Sequence, residues 1–225
     1  MKRFFYFLGN IVTIIVSFFI YSLIQLLYFY PFKLQRKYHL DSKLFIAITI
    51  LFTIIGILIV YGMYRRQLKN ENDWGFNRKS HWDWHRLLLS FIGAILLVLV
   101  NIAVQAALGL STKTTSANQS ALDALARQAG DFYKPMIVLI APIFEETIFR
   151  GMVFNTFFAK ETPLNRWVGI VFSGFLFAVL HDSGFTKYIF VYWALGCVLA
   201  WIYTKTKDLR YSIIAHMLYN SLGFL

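Results

Sequence analysis

The sequence predicts an all-α fold: a polytopic transmembrane helical bundle of about seven spans, with the active site expected in a membrane-embedded cavity. Three observations predict it. Of 225 residues, 58% are hydrophobic and 19% aromatic, whereas soluble domains are nearer 45–50% apolar. The apolar residues fall in runs able to cross about 30 Å of hydrocarbon at about 1.5 Å per residue. One such run, Lys134 to Phe158, holds Glu145, Glu146 and Arg150 in its middle. Ionisable groups there cost at least ~2.5–3.5 kcal/mol each on insertion scales, so they persist mainly where a cavity or partner uses them.

The elements follow in order. Met1 to Tyr30 opens with Lys2 and Arg3 and stays apolar far beyond a signal-peptide core, without a small-residue cleavage site, so it is expected to remain as the first span. Pro31 to Lys43 reads as a basic connector and Leu44 to Tyr64 as the second span. Arg65 to Arg86 interleaves Trp74, Trp82 and Trp84 with Arg65, Arg66, Lys69, Arg78, Lys79 and Arg86. That mixture belongs at a membrane interface as an anchored loop. His81 and His85 have helical i,i+4 spacing, but the lack of a third ligand argues against a metal there.

Leu87 to Leu108 is the third span. Gly109 to Tyr133 is polar, Ser/Thr-rich at its start, and ends in an amphipathic turn or short helix. Pro135 opens the charged helix, and Pro142 is expected to kink it ahead of Glu145. Spans at Trp167 to His181, Tyr188 to Thr204 and Tyr211 to Leu225 complete the bundle. They are short, so tilt, thinning or a re-entrant connection near Asp182 to Lys187 would accommodate them. There is no internal repeat.

A net charge of +11 would suggest nucleic acid in a soluble protein. Here the basic residues gather at span ends, where they meet lipid head groups, so no nucleic-acid partner is expected. Segments 1–3, 65–86, 159–166 and 205–210 hold 13 of the 22 Lys and Arg, against 8 in 31–43, 109–134 and 182–187. The positive-inside rule then predicts a multi-pass cell-membrane protein with a cytoplasmic N-terminus. The single cysteine, Cys197, excludes a disulfide within the chain.

Helical geometry separates the two acids. Glu146 and Arg150 stand four apart, in the order that favours an ion pair on one face. Glu145 lies about 100° away, outside that pair, and an unpaired carboxylate in a cavity suits a general base acting on water. The plainer alternative is one helix-locking charge cluster without chemistry. The late spans add His181, four residues after Phe177 so that the ring packs beside the imidazole, and His216 with Asn220, also four apart and on one face. Together these supply a base, a proton-sharing histidine and two donors for a developing oxyanion.

In order, Glu145-Glu146-x-x-x-Arg150, Phe177-x-x-x-His181 and His216-x-x-x-Asn220 resemble the three signature motifs of the CPBP family. These CAAX protease and bacteriocin-processing proteins, formerly Abi, include the Ras-converting CAAX endopeptidase. The resemblance covers about the last 90 residues. It implies a catalytic core at 131–225, preceded at 1–130 by spans and connectors of the same membrane domain. It also implies an intramembrane glutamic endopeptidase acting on membrane-associated peptides or protein tails, in peptide maturation or bacteriocin self-immunity. Glu145 and His181 would activate water, His216 and Asn220 would form the oxyanion hole, and Glu146, Arg150 and Phe177 would support them.

No cofactor is expected. A zinc ion on Glu145, His181 and His216 is the alternative, although HExxH is absent. A non-proteolytic scaffold or immunity protein, or an ion pathway, would use the same polar cluster differently. Upright helices would set Glu145 roughly 20 Å, His181 roughly 25 Å and His216 roughly 10 Å from the inner surface at about 1.5 Å per residue. The site therefore requires tilted, kinked or re-entrant late helices.

Overall fold

The structure, a computed structural model, describes residues 2–78, 81–110 and 116–224. Met1, Lys79 of the Trp-rich loop, residues 111–115 of the Ser/Thr-rich connector with Lys113, and Leu225 of the last predicted span lie outside the described residues. So do the side chains of Lys2 and Arg3.

Helices and their connections make up the described chain, without a strand among the described residues. They are α1 (Lys2–Phe29), α2 (Pro31–Tyr38), α3 (Ser42–Asn70), α4 (Trp84–Ala107), α5 (Ala117–Ala129), α6 (residues 133–157), α7 (Pro163–His181), α8 (Tyr188–Thr206) and α9 (Leu209–Ser221). Short polar residues start most of them. The side chains of Asp41, Asp83, Ser116, Thr162 and Asp208 accept from the first free backbone N–H groups of α3, α4, α5, α7 and α9. Left uncapped, those donors would have no partner.

The caps move several predicted boundaries. Asp41 starts α3 before Leu44, and α3 continues to Asn70, so Arg65, Arg66 and Lys69 are helical rather than part of a loop. The connector at 31–43 contains α2, with Pro31 in its first turn, where the missing N–H costs nothing. His81 precedes the Asp83 cap, so it does not share helical spacing with His85. Thr162 starts α7 a turn early, giving 19 residues. The connection at 182–187 is a tight turn, in which Phe185 N–H donates to Asp182 O at 3.1 Å and Thr186 Oγ1 to the Asp182 carboxylate at 2.8 Å.

Among the described residues, five helices are long and apolar enough to cross a membrane: α1, α3, α4, α7 and α8. The other two predicted spans differ. Helix α6 is broken by π-helical stretches at Met136–Ile140 and Glu146–Val153, and α9 has 13 residues, short of the roughly 20 a crossing needs. The outward faces of α1, α3 and α4 present exposed Phe19, Ile50, Leu58 and Ile95, as hydrocarbon contact requires.

The connections gather at two ends. At one, Trp74 Nε1 donates to Phe158 O at 2.6 Å, Glu161 N to Asp73 at 2.8 Å and Asn77 Nδ2 to Asp208 at 3.2 Å. At the other, Gln128 Nε2 donates to Phe29 O and Lys187 Nζ to Leu108 O, both at 3.3 Å. The seven apolar segments therefore alternate in direction. Trp82 and Trp84 are exposed, as an anchored loop predicts. Trp74 is not: it is 2% exposed and stacks on Phe76 at 5.4 Å.

Candidate active site

The site is built on the broken helix. The N–H of Ala141 bonds five residues back, to Met136 O. The next bond in that register would run from residue 142 to Ile137 O, but Pro142 has no N–H. The carbonyl it leaves accepts instead from Asn220 Nδ2 of α9 at 2.9 Å. The expected kink is thus a change of helical register, held by a side chain from another helix. Such π turns are frequent at functional sites.

Beyond Pro142 the two acids diverge as the sequence predicts. Glu146 and Arg150 are both fully buried and pair at 3.0 Å. Arg150 also donates to Gly196 O at 3.0 Å and lies 4.7 Å from the Phe177 ring centre. The other face of this arrangement is the Phe177–His181 stack, with centroids 4.0 Å apart. Helices α7 and α8 cross closely where Gly196 packs on Gly174: a Cβ at Gly196 would lie 2.7 Å from Gly174 Cα.

Glu145 is outside the ion pair, yet it is not without a partner. Its Oε1 accepts from Tyr21 OH of α1 at 2.7 Å. Its Oε2 faces His216 Nε2 at 3.8 Å and His181 Nε2 at 4.0 Å. The far nitrogens set the tautomers. His181 Nδ1 contacts Phe177 O at 2.8 Å, and a carbonyl only accepts, so Nδ1 carries the proton. His216 Nδ1 lies 3.0 Å from Glu146 Oε1, the oxygen already paired with Arg150, so it also donates. In the neutral rings both Nε2 lone pairs point toward Glu145.

All seven predicted site residues therefore belong to one cluster. The start of α9 is packed inside the protein, under the connections at that end. Asp208 and Tyr211 are fully buried and Leu209 is 1% exposed. A cavity of about 1350 Å³ reaches Glu145, His181, His216 and Asn220, with Tyr21 and Tyr192 also on its wall. It is lined in part by α5, at the end opposite Trp74.

Tyr21 was not legible as a site residue. The hint is that Tyr21 and Gln25 stand one turn apart, but Asn10, Thr13, Ser17 and Ser22 also interrupt this apolar run, so nothing singles them out.

Among the described residues, no group of three His, Cys, Asp or Glu is placed to hold a metal ion. The 3.8 and 4.0 Å gaps at Glu145 exceed the about 3.3 Å ligand separation of a tetrahedral site with bonds near 2.0–2.1 Å.

Helices fit to cross a bilayer thus surround a cluster of carboxylates, imidazoles and an amide at the wall of a cavity. Residues 132–222 match the family model described as type II CAAX prenyl endopeptidase Rce1-like. It is 28% identical over 202 residues to the UPF0177 protein YajF of Lactococcus lactis subsp. lactis (strain IL1403), covering 87% of this chain and 93% of that protein. It is 34% identical over 93 residues to the membrane-embedded CAAX protease MroQ of Staphylococcus aureus (strain USA300), covering 40% and 36%. It is 30% identical over 83 residues to the putative membrane peptidase YdiL of Bacillus subtilis (strain 168), covering 37% and 32%. This chain thus spans only about a third of either peptidase. No solved structure matches significantly.

Proposed function

We propose that the chain is an intramembrane glutamic endopeptidase that hydrolyses peptide bonds of membrane-associated peptides or protein tails. The observation that carries this is the convergence of Glu145 Oε2 with two imidazole Nε2 atoms across gaps of 3.8 and 4.0 Å. Those gaps suit a bridging water, which needs hydrogen-bond contacts of about 2.7–2.8 Å to each side.

Glu145, sharing the proton with His181, takes one hydrogen from that water as its oxygen bonds to the scissile carbonyl carbon. The carbonyl oxygen becomes an oxyanion. One N–H of Asn220 Nδ2 holds Ile137 O, and the second is available to the oxyanion. His216 donates from Nε2 when both its nitrogens are protonated, with Glu146 holding the Nδ1 proton. Collapse breaks the C–N bond as the proton taken from water passes to the leaving nitrogen. Losing one oxyanion donor typically costs ~2.7–4 kcal/mol.

In this reading residues 131–225 form the catalytic core, 1–130 supply supporting spans, and the N-terminus is cytoplasmic. The cellular setting, by resemblance, is peptide maturation or bacteriocin self-immunity.

Comparative membrane peptidomics of cells carrying the native chain or Glu145→Gln, with and without a chelator, tests the proposal. The variant should enter the membrane at native levels and lose the native cleavage products, and the chelator should leave native cleavage unchanged. A Glu145→Gln chain that still cleaves overturns the mechanism. Loss of native cleavage with chelator overturns the direct-water route. An immunity phenotype kept by Glu145→Gln favours a non-proteolytic scaffold.

A further inference from the structure

Resting on that reading, we infer that Tyr21 is a positioning residue for Glu145, supplied by α1 from outside the family-matched stretch. Its hydroxyl donates to Oε1 at 2.7 Å, which leaves Oε2 alone to face the imidazoles. The last torsion of a glutamate side chain is broad and nearly two-fold. Without a fixed donor on one oxygen, either could turn toward the histidines or away from both.

The phenol is itself held by packing. Its ring stacks on Phe144 at 5.1 Å, with planes 18° apart, and the residue is 7% exposed. Helix α1 is docked on α6 near it: Ser17 Oγ contacts Met152 Sδ at 3.4 Å, and the Phe18 ring meets Phe149 edge-on at 5.5 Å. Helix α3 braces the same place, since a Cβ at Gly56 would touch Ile20, Ile24 and Phe144 at 3.3–3.4 Å. Glu145 is therefore aligned by an oxygen whose position is fixed by ring stacking and helix crossing. Its orientation does not depend on α6 alone.

Tyr21→Phe keeps the ring and removes the hydroxyl. The assay uses the full chain in liposomes with a mixture of lipid-anchored, internally quenched random peptides, followed by kinetics on the fastest-cut peptide. Tyr21→Phe should lower kcat about 10- to 100-fold, the worth of one hydrogen bond to an ionised group, with KM within two-fold and unchanged thermal unfolding. Ser17→Ala, about a turn away on the same helix, should leave kcat within two-fold. Native kcat in Tyr21→Phe overturns the inference alone, and so does a raised KM at native kcat, which would make Tyr21 a substrate contact. An equal kcat loss in Ser17→Ala overturns it in favour of α1 packing. A native chain that cuts no peptide overturns the protease reading and this inference with it.

Discussion

Asn220 Nδ2 donates to Ile137 O at 2.9 Å, and Ile137 is the residue whose carbonyl Pro142 leaves unbonded five positions on. A polar group abandoned by a helix inside an apolar bundle is costly, so a side chain from α9 replaces the missing N–H. That bond also places Asn220 beside the helix that carries Glu145. Asn220→Leu should therefore destabilise the chain by about 1–3 kcal/mol, the cost of an unsatisfied buried acceptor. The loss should shrink in a Pro142→Ala background, where the backbone supplies a donor. A double-mutant cycle of unfolding in detergent measures the coupling, and strict additivity would contradict the relationship.

The Glu146–Arg150 pair is fully buried, at 3.0 Å. Removing one partner strands a charge, so Arg150→Met should cost about 3–5 kcal/mol, and the double variant Glu146→Gln, Arg150→Met should recover a substantial part. Thermal unfolding of the three variants decides this. A double variant less stable than Arg150→Met would mean the charge was not the problem.

Gly196 admits no side chain, because its Cβ would sit 2.7 Å from Gly174 Cα and 2.9 Å from Gly174 O. Gly196→Ala must part α7 from α8 and shift the carbonyl that holds Arg150. A loss of about 1–3 kcal/mol is expected, as for other overpacked contacts, together with reduced cleavage. Gly9→Ala, where a Cβ meets nothing within 4 Å, should show neither effect.

The three tryptophans between the end of α3 and the first residue of α4 should behave differently. Trp74 is buried, stacked on Phe76 and Lys207, with Lys207 Nζ 4.4 Å from its ring centre. Trp74→Ala should cost about 3–5 kcal/mol by cavity formation. Trp82→Ala and Trp84→Ala, at 65% and 70% exposed positions, should change unfolding by less than about 0.5 kcal/mol. Comparable losses at all three would contradict the packing of Trp74.

The proposed cytoplasmic N-terminus places the Trp74–Phe158–Asp208 end inside the cell. In a Cys197→Ala background, a cysteine at Arg78 should react with an impermeant maleimide only after cells are opened. A cysteine at Asp123 on α5 should react in intact cells. The reverse pattern would invert the orientation.

Much was legible from residues alone. The separation of Glu145 from the Glu146–Arg150 pair, the Phe177–His181 stack and the shared face of His216 and Asn220 follow from helical period. That period is a property of the backbone and needs no knowledge of neighbours. Helix ends were less legible, since Asp41, Asp83 and Thr162 set them by capping rather than by where hydrophobicity stops. Trp74 was misplaced because composition marks an interfacial loop without saying which of its rings folds inward.

The sequence by itself determined which residues could do chemistry, and that apolar helices would carry them, because residue type and local spacing are written along the chain. Only the tertiary structure decided that the start of α9 is packed inside the protein, that Asn220 completes the backbone of α6, and that Tyr21 from the first helix holds one oxygen of Glu145. Those are contacts between segments some 80 to 120 positions apart. They depend on how helices cross and how deep they sit, which the period of any one helix does not contain.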